Sequence, residues 1–313
     1  MKKTFLAILA IATFASCSKS DVVEFNQTAI NFGQPFVDNA TKAAIDPSYS
    51  GTKSLASFNV YGTVSGNRNT VNIFDGDAVT GSIGLAVWNC TEEQYWAPSC
   101  SYAFTAIADA TSVGVNANGM PTTITFNENT TAGGDVLISQ ATATTDVNAS
   151  PSQNPVEFTF THLLSKAKFT FTKPAYSNTR YTFKVTDIKF TNPYKQGVYN
   201  ISNGTWGSQT IRTSAIDFGN LEETITTTTL SKESNYAKLL VPATYTDLGV
   251  SFTVTTLLDG VEIGSKTYSE TLSHTFNKGT AYNIIVELGE NNLITFTVSE
   301  LIGWDSETNI TIP

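Results

Sequence analysis

The middle of the chain, residues 156–173, contains two short runs in which apolar and polar side chains alternate strictly. The apolar members are Val156, Phe158 and Phe160 in the first run and Ala167, Phe169 and Phe171 in the second. A period of two places successive side chains on opposite faces, so each run predicts a β-strand with one buried face. We predict that the interruption at 162–165 is a hinge between two β-domains.

Similar short strands recur on both sides of this region, separated by turns rich in Gly, Asn and Pro. This pattern predicts an all-β protein built from β-sandwiches. The apolar run at 83–88 predicts a central buried strand. A one-residue slip of the alternation after Val185 predicts a β-bulge. The dipeptide Asp259-Gly260, which stands between two apolar segments, predicts a tight hairpin turn.

Composition narrows the class of partner. Only 14% of the 313 residues are charged, and the formal net charge is −9. Lys and Arg form no cluster along the sequence. Nucleic acid binding needs clustered basic side chains for the phosphates, so the composition argues against a nucleic acid partner. The low charge and abundant Thr, Ser, Asn and Gly are typical of an exported β-protein.

The first 16 residues have the features of a secretory leader. Lys2 and Lys3 precede an apolar run at 5–14 that is too short for a permanent transmembrane helix. Cys17 follows two small residues, an arrangement that resembles a bacterial lipobox. We therefore predict a lipoprotein signal peptide at 1–16 and a lipid anchor on Cys17, which each buried CH₂ would strengthen by about 0.8 kcal/mol. The alternative is an ordinary signal peptide in which Cys17 has no role.

Cys90 and Cys100 bracket a polar loop and predict a disulfide that closes a hairpin, if the chain is exported to an oxidising compartment. Such a short loop would gain on the order of 2–3 kcal/mol from the bond. The alternatives are a metal site or a redox pair. Both histidines lie far away in the sequence, and a redox pair usually has C-x-x-C spacing.

The sequence contains no pattern that indicates catalysis or a cofactor. His162 and His274 lie in alternating strand context without a nearby G-x-S-x-G motif, so we interpret both as structural. Asp75-Gly76-Asp77 lacks the further ligands of a calcium loop and is interpreted as a turn. The Tyr95-Trp96 pair leaves a glycan-binding surface as an unspecific alternative. We predict no catalytic residue, no metal site and no enzyme activity.

The central segment FTHLLSK (160–166) followed by FTF (169–171) resembles the central motif of the fimbrillin-like lipoproteins of Bacteroidetes, the subunits of type V pili. Other segments fit the same family in order, including NVYG at 59–62, LLVP at 239–242, YNI at 282–284 and ITF at 294–296. The resemblance implies two tandem transthyretin-like β-sandwich domains. It places them at 17–163 and 164–313, with the boundary inside the central segment.

The resemblance also implies an assembly route. In this family a trypsin-like protease cuts after a basic residue behind the first strand, and the C-terminal strand of a neighbouring subunit fills the groove that is left. Here the displaced strand would be 22–36, the cut would follow Lys42, and the donor would be 293–312. The family usually has Arg at the cut, and Lys53 is a second candidate. The alternative for 293–312 is the last core strand of the second domain.

Together with the lipoprotein leader, the resemblance implies a pilin that is anchored to the cell outer membrane, processed and polymerised with other pilin subunits into a surface fimbrium. The fimbrium would support adhesion to a host or bacterial surface. The alternatives are a lipid-anchored binding protein that does not polymerise, for example one for glycans, and a tip or anchor subunit.

Overall fold

A computed structural model of the chain describes residues 28–37, 45–46, 53–55 and 57–300. Within the last range it omits 67–68, 83, 128–133, 175–179, 208, 210, 213–214, 222–223, 227–230, 234–236 and 290–293. All regular elements in the described part are β-strands, which confirms the predicted all-β class. No helix among these residues is long and apolar enough to cross a membrane.

Eleven strands precede the middle of the chain: β1 (Phe36–Val37), β2 (Ile45–Asp46), β3 (Lys53–Ser54), β4 (Ser57–Ser65), β5 (Thr70–Thr80), β6 (Asn89–Cys90), β7 (Ser101–Ala108), β8 (Ser112–Val115), β9 (Pro121–Asn127), β10 (Leu137–Thr144) and β11 (Thr159–His162). Eleven follow it: β12 (Ser165–Thr172), β13 (Tyr181–Thr191), β14 (Gln196–Asn200), β15 (Thr205–Trp206), β16 (Ala215–Gly219), β17 (Ser231–Glu233), β18 (Lys238–Leu240), β19 (Ala243–Leu258), β20 (Val261–Phe276), β21 (Ala281–Leu288) and β22 (Ile294–Glu300).

The N-terminal half is organised around a seven-stranded sheet with the order β1-β11-β10-β7-β4-β5-β6. The alternation seen in the sequence is the reason for its packing, because the even-numbered residues of β11 and its approach face inward. Phe158 and Phe160 are fully buried, and they pack in one core with Phe58, Phe74 and Phe104 from β4, β5 and β7. Burial of each such ring contributes roughly 1.5–3 kcal/mol.

The C-terminal half has two sheets around a separate core. One has the order β17-β12-β21-β22, with β18 also paired to β12, and the other has the order β16-β13-β19-β20. Phe169 and Phe171 of β12 meet Phe190, Phe218 and Phe252 of the second sheet, with ring centroids 4.9 to 5.3 Å apart. Two sheets facing each other across aromatic side chains form a β-sandwich.

A further four-stranded sheet joins the two halves. Its order is β15-β14-β9-β8, so a hairpin from the N-terminal half pairs with a hairpin from the C-terminal half, with Ile124 opposite Tyr199. Leu163 and Leu164 are fully buried beside this sheet, and the Trp206 indole N–H donates to the Leu163 carbonyl oxygen at 2.8 Å. The segment at 162–165, predicted to be a hinge, is therefore packed on several sides.

The chain passes from one sheet to another between β11 and β12, which is where the predicted domain boundary lies. The assignment of 17–163 and 164–313 as two domains remains a prediction, because a shared sheet also connects the halves.

Local predictions had mixed outcomes. The bulge after Val185 is confirmed by a register shift between Thr186 and Lys189. The hairpin turn at Asp259-Gly260 is also confirmed, since both residues have positive φ and connect β19 to β20. The predicted central strand at 83–88 is wrong. Leu85 and Val87 are about half exposed, at 50% and 44%.

Candidate functional site

Residues 28–37 lie in extended conformation between two parts of the N-terminal half. On one side they run antiparallel to the loop 88–96. The amide of Ile30 donates to the Gln94 carbonyl at 2.8 Å, and the amide of Trp88 donates to the Phe32 carbonyl at 2.8 Å. The amide of Trp96 donates to the Thr28 carbonyl at 3.0 Å.

On the other side the same residues run parallel to residues 154–160. The amide of Val156 donates to the Asn31 carbonyl at 2.7 Å, and the amide of Gly33 donates to the Val156 carbonyl at 2.9 Å. The Asn154 side chain accepts from the Asn31 amide at 3.0 Å and donates to the Ala29 carbonyl at 3.2 Å. The segment is thus held through its backbone on both edges.

Phe32 anchors the segment in the core. Its side chain is fully buried, and its ring contacts four others at centroid distances of 5.4 to 6.5 Å: Phe58, Phe74, Phe104 and Phe158. Ile30 and Val37 are also buried, each with 5% of its surface exposed. We call the space that residues 28–37 fill the first-strand groove. Its floor is these four rings, and its rims are residues 88–96 and 154–160.

Residues 28–37, the first strand, have less regular pairing than β12, the first strand of the C-terminal half. In the C-terminal half, β12 pairs in parallel with β21 over seven residue pairs. In the described residues of the N-terminal half, β1 pairs in parallel with β11 over two residue pairs, and a bridge from Phe32 to Val156 adds one more on this side. Residues 28–37 therefore depend on Phe32, Ile30 and Val37 for anchoring more than on a continuous ladder.

The predicted cut after Lys42 lies outside the described residues, as does Cys17. The described first strand ends at Val37, so a cut at Lys42 would separate all of residues 28–37 from the rest of the chain. The second candidate, Lys53, lies in β3 and is paired with Asp46 of β2.

The C-terminal strand β22 lies at an edge of its own sheet. It pairs antiparallel with β21, from Ile294 opposite Leu288 to Glu300 opposite Tyr282. Its apolar side chains are only partly buried, and the Phe296 ring lies 6.1 Å from that of Phe252. In this structure residues 294–300 therefore form the last strand of their own half, the alternative weighed for 293–312. The rest of that segment lies outside the described residues.

The predicted disulfide is absent from the structure, where Cys90 and Cys100 are both free thiols. Cys90 pairs with Val79, near the end of β5. Cys100 comes directly before Ser101, which pairs with Ser65 of β4, and Ser65 in turn pairs with Thr70 at the start of β5. A strand rises about 3.3 Å per residue, so these ends are on the order of 30 Å apart. A disulfide needs Cα atoms within about 7 Å. Burial raises the pKa of both thiols, so little reactive thiolate is present at neutral pH.

His162 is buried and its Nδ1 contacts the Asp135 carboxylate, while the His274 ring packs against Phe276 and Tyr282. Both positions agree with the structural interpretation. Trp96, one of the two aromatic residues considered for glycan binding, is only 3% exposed and packs against Tyr102 at 4.6 Å. It therefore offers no stacking surface.

Asp75-Gly76-Asp77 lies in β5 at a bulge opposite Tyr61, so the predicted turn is wrong. Burial, and to a smaller degree the two carboxylates, raises the pKa of Tyr61. No group of His, Cys, Asp or Glu within the described ranges could hold a metal ion.

The chain is similar to known proteins in sequence and in fold. A family model described as fimbrillin-like matches residues 35–301. The chain belongs to the fimbrillin-like family. That model begins inside the first strand and ends at the residue after β22. No curated protein matches the chain.

Solved structures share the fold at low sequence identity. A candidate cell adhesion protein from Bacteroides ovatus has a TM-score of 0.53 at 14% identity, with 90% of this chain and 99% of that chain covered. One from Bacteroides uniformis has a TM-score of 0.51 at 16% identity, with 88% and 98% covered. A fimbrial assembly protein from Parabacteroides distasonis has a TM-score of 0.43 at 15% identity, with 92% and 99% covered. At such identities the two likenesses with TM-scores above 0.5 show the fold alone.

Proposed function

We propose that this fimbrillin-like chain is a structural subunit of a fimbria on the cell surface, polymerised by strand exchange and supporting adhesion. The observation that carries the proposal is the first-strand groove. A segment near the N-terminus fills it, and Phe32 at its centre is fully buried among four aromatic rings. Loss of that segment would leave unpaired backbone groups along both rims and an apolar floor, which together form a template for an incoming strand.

Strand exchange on this chain would be head-to-tail. The first-strand groove belongs to the N-terminal half, whereas the edge strand β22 belongs to the sandwich of the C-terminal half. Because the donor and the acceptor are different surfaces, each added copy presents a new acceptor, and the contact extends as a filament. Cys17 would carry the lipid that holds the precursor at the outer membrane, and a cut after Lys42 would release the first strand.

An unboiled SDS gel of protein sheared from cells that make this chain tests the proposal. A strand-exchanged contact is a buried β-ladder that dissociates slowly, so we expect a ladder of bands that collapses to one band on boiling. N-terminal sequencing of that band should begin at Ala43. A single unboiled band at the size of the full lipoprotein would overturn the proposal.

A second candidate is a lipid-anchored binding protein that shares the fold and does not polymerise. The pairing of β22 inside its own sheet favours it, because a strand that completes its own half need not be donated. Deletion of residues 293–313 distinguishes the two functions. A pilin should lose polymerisation, whereas a tethered binding protein should keep its place on the surface as a monomer.

A further inference from the structure

We infer that Ile294, Thr295 and Phe296 of a second copy of this chain occupy the places of Ile30, Asn31 and Phe32 in the first-strand groove. This inference rests on the proposed strand exchange and adds its register. Residues 30–32 and 294–296 share the pattern Ile-x-Phe. In the first of these segments the side chains of Ile30 and Phe32 are buried. A donor that keeps this spacing would place the Phe296 ring among Phe58, Phe74, Phe104 and Phe158.

The positions that flank the pattern agree with the same register. Gly33 would be replaced by Thr297, and the groove accommodates a Cβ at this position. A Cβ on Gly33 would lie 3.5 Å from Glu157 Cγ and 3.6 Å from Pro155 Cγ, which are ordinary van der Waals contacts, and its backbone does not have positive φ. Farther along, the exposed Phe36, at 37%, would be replaced by the charged Glu300.

Val37, which is buried, would be replaced by Leu301 in this register. Three buried apolar positions, Ile30, Phe32 and Val37, therefore receive apolar side chains, and the exposed position of Phe36 receives a charged one. The buried Pro35 is the exception, because it would be replaced by the polar Ser299. The agreement continues beyond the shared Ile-x-Phe pattern to a third apolar position, even though Gln34 and Pro35 interrupt the alternation between them.

Other registers fit worse. A shift by one residue would place Thr295 or Thr297 among the four rings, because neighbouring residues of a strand face opposite sides. A shift by two in one direction would bury Asn292 in the place of Ile30, and in the other direction it would leave the smaller Val298 in the place of Phe32. Underfilling an aromatic site costs free energy through the cavity that remains. Ile310-Thr311-Ile312 has a similar spacing but also lacks an aromatic side chain for this place.

The donor strand is suited to release from its own chain. Among the described strands β22 pairs with β21 alone, so its removal breaks one ladder of the described structure. Thr295 and Thr297 are exposed there, and Ile294, Phe296 and Val298 are only partly buried. In the groove, the same backbone would be paired on two edges and Phe296 would be enclosed by aromatic rings. The exchange therefore gives the donor a second paired edge and increases the burial of Phe296.

Engineered cysteine pairs in the full chain test the register. In a background with Cys90→Ser and Cys100→Ser, Glu157→Cys is combined with Thr297→Cys, because Thr297 is expected beside Glu157 of the next copy. The matched control combines Glu157→Cys with Thr295→Cys, which is also exposed in β22 but displaced by two residues. Glu157→Cys alone controls for links between two equivalent positions. Sheared fimbriae are boiled in SDS without reductant.

We expect a boil-resistant ladder for the Thr297→Cys pair that collapses with dithiothreitol, at several times the yield of the Thr295→Cys pair. A ladder only with Thr295→Cys would overturn the register. Heat-sensitive polymers in every variant without any covalent ladder would overturn the inference while leaving the proposed function intact. Absence of polymers even in the background chain would overturn the proposed function and this inference with it.

Discussion

Phe32 contributes more to the stability of the N-terminal half than the exposed residues of the same segment. Among residues 28–37 it alone contacts four buried rings. We expect Phe32→Ala to lower the free energy of unfolding of the uncut chain by about 3–5 kcal/mol, the usual cost of removing a buried aromatic ring. The matched control is Phe36→Ala, since Phe36 is 37% exposed. Urea unfolding of both variants measures the difference. Equal destabilisation by the two substitutions would contradict this account of the groove.

The cysteines provide a second prediction at the scale of single residues. Because Cys90 and Cys100 lie at opposite ends of β5, both should be alkylated when the mature protein is unfolded without reductant. In the folded protein at neutral pH the labelling should be slow, since burial raises the pKa of both thiols. Mass spectrometry counts the labels. Labelling that appears only after reduction would restore the disulfide predicted from the sequence.

The sheet that joins the halves depends on a close approach at Gly197. A Cβ at this position would lie 2.8 Å from the Trp206 ring and 2.8 Å from Val241 Cγ1, both of which belong to the buried junction. Gly197→Ala should therefore destabilise the protein by about 1–3 kcal/mol through overpacking. Gly264→Ala in β20 is the control, because no atom lies within 4 Å of its Cβ. Urea unfolding that shows no difference between the two would mean that the junction adjusts freely.

The first strand can also be tested as a separable element. A chain that begins at residue 43 lacks residues 28–37 and should bind a hydrophobic dye, because the floor of the groove is then exposed. A synthetic peptide of residues 28–37 should reverse the dye binding by refilling the groove. The same peptide with Phe32→Ala is the matched control and should bind at least tenfold more weakly. Equal activity of both peptides would show that the aromatic floor does not recognise the strand.

At the scale of elements, the strands, bulges and turns that depend on a local sequence pattern could be predicted from the sequence. The alternation at 156–173, the bulge after Val185 and the turn at Asp259-Gly260 each leave a period or a dipeptide in the sequence. The apolar run at 83–88 misled the prediction, because an apolar run does not report whether another strand covers it, and Leu85 and Val87 face solvent.

Features that depend on which strands become neighbours could not be predicted. Cys90 and Cys100 are close in sequence, but the hairpin of β4 and β5 separates them. Likewise, the pairing of β9 with β14 joins segments about 70 residues apart that have no matching pattern of their own. The first-strand groove was foreseen only through the family resemblance. Its floor draws on β4, β5, β7 and the approach to β11, and its apolar positions become one surface only after these segments fold together.

Assembly at the scale of the whole molecule depends on where the chain is cut, and the two candidate lysines differ in their surroundings. Lys53 is paired in β3, and a protease needs an extended substrate that has left such pairing. Lys42 follows the last described residue of the first strand by five positions, so cleavage there would detach the whole segment that fills the groove. We therefore expect Lys42→Gln to leave a longer chain whose groove stays filled by its own first strand.

The Lys42→Gln chain should remain monomeric on an unboiled SDS gel, whereas Lys53→Gln, which removes the same charge, should assemble like the parent chain. The physical reason is competition. A first strand that remains covalently attached has a high effective concentration at the groove, and a second copy cannot match it at ordinary surface densities. Normal assembly of Lys42→Gln with a block in Lys53→Gln would move the cut to Lys53. Assembly of both variants with an intact N-terminus would mean that donor strands reach the groove without any cut.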